Sequence, residues 1–248
     1  MGRFDTRVAI ITGAASGMGR ATALRFAEDG ARVFGIDIDD AGLQGLAAEL
    51  GDGHGVRRTD VSSREDCLAA VAACGETIGT ADMLLNVAGV LRMGHFRDLT
   101  QTELDLMVGV NLVGTIWMCQ AALPGMLELN RGSIVNVASN AGLMGSPYAV
   151  AYGATKAGVT HFTKGLAMEV VRSAVRVNCV APGGVDTPMT HAVGLPEDLD
   201  FKLLAPAMGF RGMADATELA AILAFVASDE ARQIHGAVIS ADSGLTAG

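Results

Sequence analysis

Short apolar runs alternate with amphipathic segments along nearly the whole chain. The apolar runs predict seven β-strands, at residues 8–12, 32–37, 55–60, 83–86, 133–139, 175–180 and 237–241. The segments between them predict helices, at about residues 20–29, 40–50, 63–78, 101–123, 152–172 and 217–228. Strands that alternate with helices are joined by right-handed crossovers into a parallel sheet. The sequence therefore predicts an α/β fold: a doubly wound, Rossmann-type domain whose mostly parallel, seven-stranded sheet is flanked by helices.

The 248 residues fit one domain, residues 1–248, because α/β folds commonly reach this size undivided. The chain shows no repeats and no interdomain linkers. One long stretch, residues 183–214, is rich in Gly, Pro and Met and has no clear periodicity. Irregular segments of this length in a compact domain are usually functional or disordered, so a flexible, apolar flap is expected at about residues 187–213.

The charge balance excludes some classes of partner. A net charge of −9 with three Lys argues against binding to nucleic acid or to an anionic membrane. The four cysteines, Cys67, Cys74, Cys119 and Cys179, form no C-x-x-C pair and lie at no zinc-ligand spacing, so no metal is expected. They are interpreted as small buried hydrophobic residues in a reducing compartment.

Two segments bear on localisation. The first ten residues lack the long apolar core of a signal peptide. Residues 106–127 carry no charge, but they contain Asn111, Gln120 and Pro124 and are interpreted as a buried core helix. The sequence is therefore expected to be that of a cytoplasmic protein.

A glycine turn follows the first strand and indicates a dinucleotide site. Gly13, Gly17 and Gly19 would let the backbone approach a pyrophosphate at the N-terminus of the next helix. Asp37 closes the second strand, where an acidic side chain can bind a ribose diol and would repel a 2′-phosphate. No Arg follows it, since the next residue is Ile38. These features favour NAD over NADP.

A second motif suggests proton transfer. Tyr152 and Lys156 lie four residues apart, which places both on one face of a helix. A free phenol loses its proton near pH 10, and a neighbouring ammonium is expected to lower the pKa of Tyr152 toward neutrality. Ser139, from a different element, could hydrogen-bond the same substrate oxygen.

The motifs TGAASGMG, NVAG, Ser139–Tyr152–Lys156 and PGGVDTPM together resemble the short-chain dehydrogenase/reductase family in its compact, single-domain form. The resemblance covers essentially the whole chain. It implies an NAD(P)-binding Rossmann fold, hydride transfer to or from a carbinol carbon, a catalytic tetrad of Asn111, Ser139, Tyr152 and Lys156, and a homotetramer, with a dimer as the alternative. Asn111 would hold a water in a proton relay, although spacing leaves open that it is a satisfied buried amide.

The resemblance also implies which residues contact the cofactor. The glycine motif contributes Gly13, Ser16, Gly17, Met18 and Gly19, and the ribose side contributes Asp37 and Ile38. Further contacts are implied for Asp60, Val61, Asn86, Ala88, Gly89, Tyr152, Lys156, Pro182, Gly183, Val185 and Thr187. Three positions depart from the family pattern without removing a chemical role: Val87 in NVAG, Thr155 before the lysine, and residues 242–244 (DSG).

The resemblance places apolar residues toward the substrate: Leu91, Met93, Leu143, Met144, Met189, Met208 and Phe210. The expected substrate is a bulky or alicyclic secondary alcohol or ketone, a class that includes steroid-like molecules. His95 and His161 are expected on ordinary surfaces. Two alternatives stay open. One is a 3-oxoacyl-carrier-protein reductase. The scarcity of Lys argues against it, and so does Asp37, because such reductases generally use NADPH. The other is a non-catalytic dinucleotide sensor or scaffold.

Overall fold

All seven predicted strands form in the computed structural model, which describes residues 2–209 and 211–247. They are β1 (Val8–Thr12), β2 (Arg32–Asp37), β3 (Gly55–Arg58), β4 (Met83–Asn86), β5 (Gly132–Val137), β6 (Val175–Pro182) and β7 (Val238–Ala241). They make one sheet in the order β3-β2-β1-β4-β5-β6-β7, and every neighbouring pair is parallel. The predicted fold class is confirmed.

Helices fill the connections. They are α1 (Gly17–Glu28), α2 (Asp40–Leu50), α3 (Arg64–Thr77), α4 (Gln101–Met107), α5 (Gly114–Glu128), α6 (Val150–Glu169), α7 (Pro188–His191), α8 (Phe201–Met208) and α9 (Ala216–Ala227). The first helix starts three residues before its predicted start, because the glycine turn itself forms the first helical turn. The third strand ends at Arg58, two residues before the predicted end.

Successive strand residues point to opposite faces of the sheet and feed two cores. Ile11, Leu85 and Val135 pack against α1, α2 and α9, whereas Ile10, Leu84 and Ile134 pack against α3, α5 and α6. The central strands β1, β4 and β5 are buried throughout, as a parallel sheet covered on both faces requires. All four cysteines are free and buried, which confirms their interpretation as small core residues.

The strand order reverses between β1 and β4. In the sheet, β1 lies between β2 on one side and β4 on the other. Ligands of doubly wound sheets bind in the crevice beyond the carboxyl ends of the strands at such a switch point. Thr12, Asp37, Asn86 and Val137 end the four strands that surround it.

The uncharged central helix is interrupted. Between α4 and α5 the backbone forms a π-helical stretch, Val108–Val113, which the sequence does not predict. Such widened turns often occur at functional sites, and this one contains Asn111. The combined helix Gln101–Glu128 is long and apolar enough to cross a membrane by length and composition; 39% of its most apolar window is buried inside the fold.

The stretch at residues 183–214 is more regular than its sequence predicts, because it contains the two short helices α7 and α8. Its base is closed by hydrogen bonds from the Ala214 amide to the Gly184 carbonyl and from the Asp186 amide to the Ala214 carbonyl. Leu204, Ala207 and Met208 of α8 line a cavity, whereas Phe201 and Leu203 of the same helix are exposed to solvent.

Candidate active site

The turn between β1 and α1 requires glycine. Gly13 and Gly17 have φ values of 70° and 51°, in the left-handed region that side chains disfavour. A Cβ on Gly19 would meet the Gly13 carbonyl oxygen. Ser16 is the N-cap residue of α1, but its side chain makes no capping hydrogen bond. The main-chain N–H groups at this helix start are therefore available to an anionic ligand.

Asp37 lies where the sequence predicts it, at the carboxyl end of β2. One carboxylate oxygen accepts from the Ala15 amide at 3.1 Å, and the other accepts from the Asp39 amide at 3.0 Å. These bonds hold the carboxylate beside the glycine turn and leave further acceptor capacity on both oxygens.

A cavity of about 300 Å³ opens above these elements. Fourteen of the predicted cofactor residues line it: Gly13, Ser16, Gly17, Met18, Gly19, Asp37, Ile38, Asp60, Val61, Ala88, Gly89, Tyr152, Lys156 and Thr187. Pro182, Gly183 and Val185 instead line the neighbouring cavity described below. Sequence reasoning missed eight lining residues, whose small or apolar side chains give no chemical signal: Thr59, Val87, Val90, Leu106, Val110, Val137, Ala138 and Pro188.

Asn86 does not line this cavity. It is buried below it, where its amide nitrogen donates to Asn136 Oδ1 at 2.8 Å and to Cys119 Sγ at 3.3 Å. Thr12 supports the next residues, because its Oγ1 accepts from the Val87 and Ala88 amides at 3.0 and 2.9 Å. Val87 therefore still has its backbone hydrogen bond in the turn, despite departing from the family pattern.

Tyr152 and Lys156 stand on one face of α6, as their spacing predicts. Lys156 Nζ lies 5.8 Å from the centre of the Tyr152 ring and donates to the Val137 carbonyl at 2.9 Å. Both side chains are nearly buried, Lys156 being 3% exposed and Tyr152 9% exposed.

Burial dominates the proton affinity of both groups. It raises the pKa of Tyr152 above its ordinary value, and the Ser139 hydroxyl opposes this with a smaller effect. It also lowers the pKa of Lys156 to about 8. The expectation that the pKa of the tyrosine is lowered is wrong, because loss of hydration on burial is the largest influence on it and raises it.

Ser139 lies at the end of the β5 segment and begins a short 3-10 turn, Asn140–Gly142. Its hydroxyl donates to Asn140 Oδ1 at 3.0 Å and accepts from the Ala141 amide at 3.2 Å. Ser139 and Tyr152 line the same cavity, so the structure brings together the two groups predicted to share a substrate oxygen.

Asn111 has a fully paired side chain. Its Oδ1 accepts from the Val90 amide at 2.8 Å, and its Nδ2 donates to the Val90 carbonyl at 2.9 Å and to Thr155 Oγ1 at 3.1 Å. A Cβ on Gly89 would lie 3.4 Å from both Asn111 Oδ1 and Lys156 Nζ. The Asn111 amide thus braces the loop after β4 against α6, and Thr155 completes this network.

A second cavity, of about 340 Å³, adjoins the first. Five residues line both: Met18, Ala138, Tyr152, Thr187 and Met189. Of the predicted substrate residues, Leu91, Met93, Met189 and Met208 line it, whereas Leu143 and Met144 lie outside its wall. Leu143 follows the 3-10 turn and is exposed to solvent. Phe210 lies outside the described residues.

His95 is not an ordinary surface residue. Its Nε2 lies 2.8 Å from Asp198 Oδ1, and the Tyr148 hydroxyl accepts from the Asp200 amide at 2.9 Å. These contacts join the 187–213 segment to the loop after β4 and to the start of α6. They border a third cavity, which shares Met93 with the second cavity. His161 is exposed on α6, as predicted.

Comparison with known proteins adds three findings. A family model described as short chain dehydrogenase matches residues 7–198. The oxidoreductase UcpA of Salmonella typhimurium is 38% identical, over 99% of this chain and 97% of that protein, and the D-threitol dehydrogenase of Mycolicibacterium smegmatis is 40% identical, over 98% and 94%. A crystal structure of 3-ketoacyl-(acyl-carrier-protein) reductase from Brucella melitensis complexed with NADH has a TM-score of 0.90 at 32% identity, covering 98% of this chain and 99% of that one.

Proposed function

Because the chain belongs to the short-chain dehydrogenase family, we propose that it transfers a hydride between NAD(H) and a neutral secondary alcohol or ketone with an apolar body. The observation that carries this proposal is the position of Tyr152, which lines both the cavity above the glycine turn and the adjoining apolar cavity. With a cofactor in the first cavity and a substrate in the second, Tyr152 would lie beside both, as proton transfer to the substrate requires.

The residues of the first cavity fit a nicotinamide dinucleotide. The glycine turn leaves no room for side chains, and the N-terminus of α1 offers N–H groups to a pyrophosphate. Asp37 would bind the adenosine ribose and repel a 2′-phosphate, which favours NAD. Asp60 and Val61 would lie toward the adenine, and Lys156 and Thr187 toward the nicotinamide half. When bound, the dinucleotide supplies or accepts the hydride.

The protein's own part in the reaction is proton transfer and positioning. Tyr152 would exchange a proton with the substrate oxygen, and Ser139 would hydrogen-bond the same oxygen. Burial keeps the Tyr152 phenol protonated at neutral pH in the unliganded protein, so it is poised to donate during ketone reduction. In oxidation the phenolate must form first, and a protonated Lys156 stabilises it. Asn111 is a positioning residue, which fixes the loop beside Lys156.

The second cavity supports an apolar substrate. Its wall includes Leu91, Met93, Met189, Leu204 and Met208, and no charged side chain occurs among its described lining residues. Methionines adapt to irregular shapes, which suits a bulky or alicyclic body. From the length of the chain we also propose one domain over residues 1–248, and from its sequence a cytoplasmic location. The family resemblance adds a homotetramer.

A 3-oxoacyl-thioester reductase is the second candidate. It is favoured by the similarity to the Brucella melitensis reductase. Because that reductase forms a complex with NADH, the proposed use of NAD is not an argument against this candidate. The net charge of −9 and three Lys still disfavour an acidic carrier protein as the partner. A non-catalytic dinucleotide sensor would need no proton-transfer group beside the apolar cavity.

The test is an NAD⁺-coupled screen of secondary alcohols, run beside a screen of 3-oxoacyl thioesters with NADH, on the wild type and on Tyr152→Phe. The proposal predicts turnover of apolar alcohols that falls at least about a hundredfold in the variant, while NADH binding is retained. Turnover of thioesters only would favour the second candidate. NADH binding without any turnover would favour the sensor.

A further inference from the structure

Asn140 carries an unused pair of hydrogen-bond donors at the wall of the second cavity. Its side chain is largely buried, with 8% of the residue exposed. Its Oδ1 is fixed twice, by the Ser139 hydroxyl at 3.0 Å and by the Ala141 amide at 2.9 Å. Its Nδ2 has no hydrogen-bond partner among residues 2–209 and 211–247, although it can form two bonds.

The orientation of this amide follows from its neighbours. If the amide were rotated by 180°, Nδ2 would face the Ala141 N–H, and two hydrogen-bond donors would oppose each other. The amide oxygen must therefore be the atom that faces Ala141. The nitrogen is not sealed inside the protein either. Among the described residues, Asn86 Oδ1 is the one side-chain N or O atom that is both fully buried and without a hydrogen-bond partner. Nδ2 of Asn140 is not in that class, so it keeps some access to open space. The open space beside Asn140 is the second cavity, which this residue lines.

We propose that Asn140 binds a second oxygen of the substrate and thereby sets specificity. The inferred substrate class is an alcohol or ketone that carries another neutral hydroxyl or carbonyl oxygen one or two carbons from the reacting carbon. This inference rests on the proposed function and names its substrate more closely. The second oxygen is neutral because the described lining of this cavity contains no cationic side chain to pair with a carboxylate.

The position of the second oxygen follows from the spacing of the two donors. Ser139, which would hold the reacting oxygen, donates to Asn140 Oδ1, and Nδ2 belongs to the same amide group. Oxygens on adjacent carbons, or separated by one carbon, can reach both groups at ordinary hydrogen-bond lengths. Oxygens on opposite sides of a six-membered ring lie farther apart and are expected to fit two neighbouring donors less well.

The experiment compares NAD⁺-dependent oxidation of cyclohexanol, trans-cyclohexane-1,2-diol and trans-cyclohexane-1,4-diol. The two diols have the same composition and differ only in the position of the second hydroxyl. The readout is the ratio of kcat/KM for the 1,2-diol to that for the 1,4-diol, so that any general effect on Ser139 cancels. The wild type should favour the 1,2-diol by about tenfold or more, since a site built for a hydroxyl discriminates against its absence.

Two variants of Asn140 separate binding from positioning. Asn140→Asp keeps an oxygen for Ser139 and Ala141 but loses the N–H donors, and Asn140→Leu loses both functions. Asn140→Leu should lower the ratio about tenfold and also removes the acceptor for the Ser139 hydroxyl. Asn140→Asp should lower it less, because its carboxylate can still accept a hydrogen bond from the second hydroxyl. Ser146→Ala removes another polar group from the wall of the same cavity and should leave the ratio within about twofold.

Three results would overturn the inference. The first is a wild-type ratio near one; the second is a preference for the 1,2-diol that survives in both Asn140 variants. In either case oxidation itself continues, and the proposed function stands. The third is a protein that binds NADH but oxidises none of the three alcohols. The broader alcohol screen with Tyr152→Phe then decides the proposed function separately.

Discussion

Replacing Lys156 with methionine is expected to stabilise the protein near neutral pH while abolishing its turnover. Lys156 is 3% exposed, and burial lowers the pKa of its ammonium from its ordinary value of 10.5 to about 8. A lowered pKa means that the folded protein holds this charge at a cost in free energy. Methionine has a similar length and carries no charge, so it removes that cost.

The size of the effect follows from the pKa and one hydrogen bond. The gap between 10.5 and about 8 corresponds to about 3 kcal/mol of folding free energy, at roughly 1.4 kcal/mol per pKa unit. Losing the hydrogen bond from Nζ to the Val137 carbonyl costs about 1 kcal/mol. The variant should therefore gain about 2 kcal/mol at pH 7.

The dependence on pH has a definite sign. Below about pH 8 the ammonium is charged in both the folded and the unfolded chain, and the full cost applies. Between about 8 and 10.5 the folded protein loses this proton before the unfolded chain does, so wild-type stability rises. Above 10.5 the advantage of the variant disappears, and the lost hydrogen bond leaves it about 1 kcal/mol less stable.

Urea denaturation of the cofactor-free protein at a series of pH values measures this difference. Lys164→Met is the matched control, because Lys164 lies exposed on the same helix and its replacement should change stability by less than about 0.5 kcal/mol. The reasoning is refuted if Lys156→Met destabilises the protein at pH 7, or if the difference from wild type does not change between pH 7 and 10.5.

Gly19→Ala places a Cβ against a main-chain carbonyl oxygen and should weaken NADH binding, measured by fluorescence, by more than about tenfold. The control Gly75→Ala lies in open space within α3; it should bind NADH normally and raise the free energy of unfolding by about 0.5–1 kcal/mol. Alcohol oxidation at limiting substrate should keep rising with pH to at least about pH 9 without levelling off, because burial raises the pKa of Tyr152 above its ordinary value and the phenolate is the base; a flat profile would contradict this. Asn111→Ala leaves partly buried backbone groups of the loop after β4 unpaired and should cost about 2 kcal/mol in urea denaturation; a loss below about 0.5 kcal/mol would count against its bracing role.

The fold is readable from the sequence because its signals are local. Each buried strand of a parallel sheet is a short apolar run, and each crossover helix has its own periodicity. The π-helical stretch Val108–Val113 has no such local signal. Directly after it, the backbone passes close to the loop after β3, since a Cβ on Gly114 would lie 2.9 Å from Val61 Cγ2. Helices α7 and α8 were hidden by the Gly, Pro and Met content of their segment.

The candidate site was predictable where spacing determines geometry. Tyr152 and Lys156 share a helix face because they are four residues apart, and Asp37 reaches the glycine turn because it ends the neighbouring strand. The sign of the Tyr152 pKa shift was not predictable, since it depends on burial. The free N–H donors of Asn140 were not predictable either, because they depend on the 3-10 turn using only the oxygen of that amide.

The central claim, an NAD-specific dinucleotide site read by Asp37, is tested most directly by fluorescence titration of the wild type with NADH and NADPH. The same titrations are made on Asp37→Asn and on Asp39→Asn, an exposed neighbour whose side chain makes no capping bond. The account predicts that the wild type and Asp39→Asn bind NADH at least about tenfold more tightly than NADPH, and that Asp37→Asn loses this preference. Equal or tighter binding of NADPH by the wild type would contradict it.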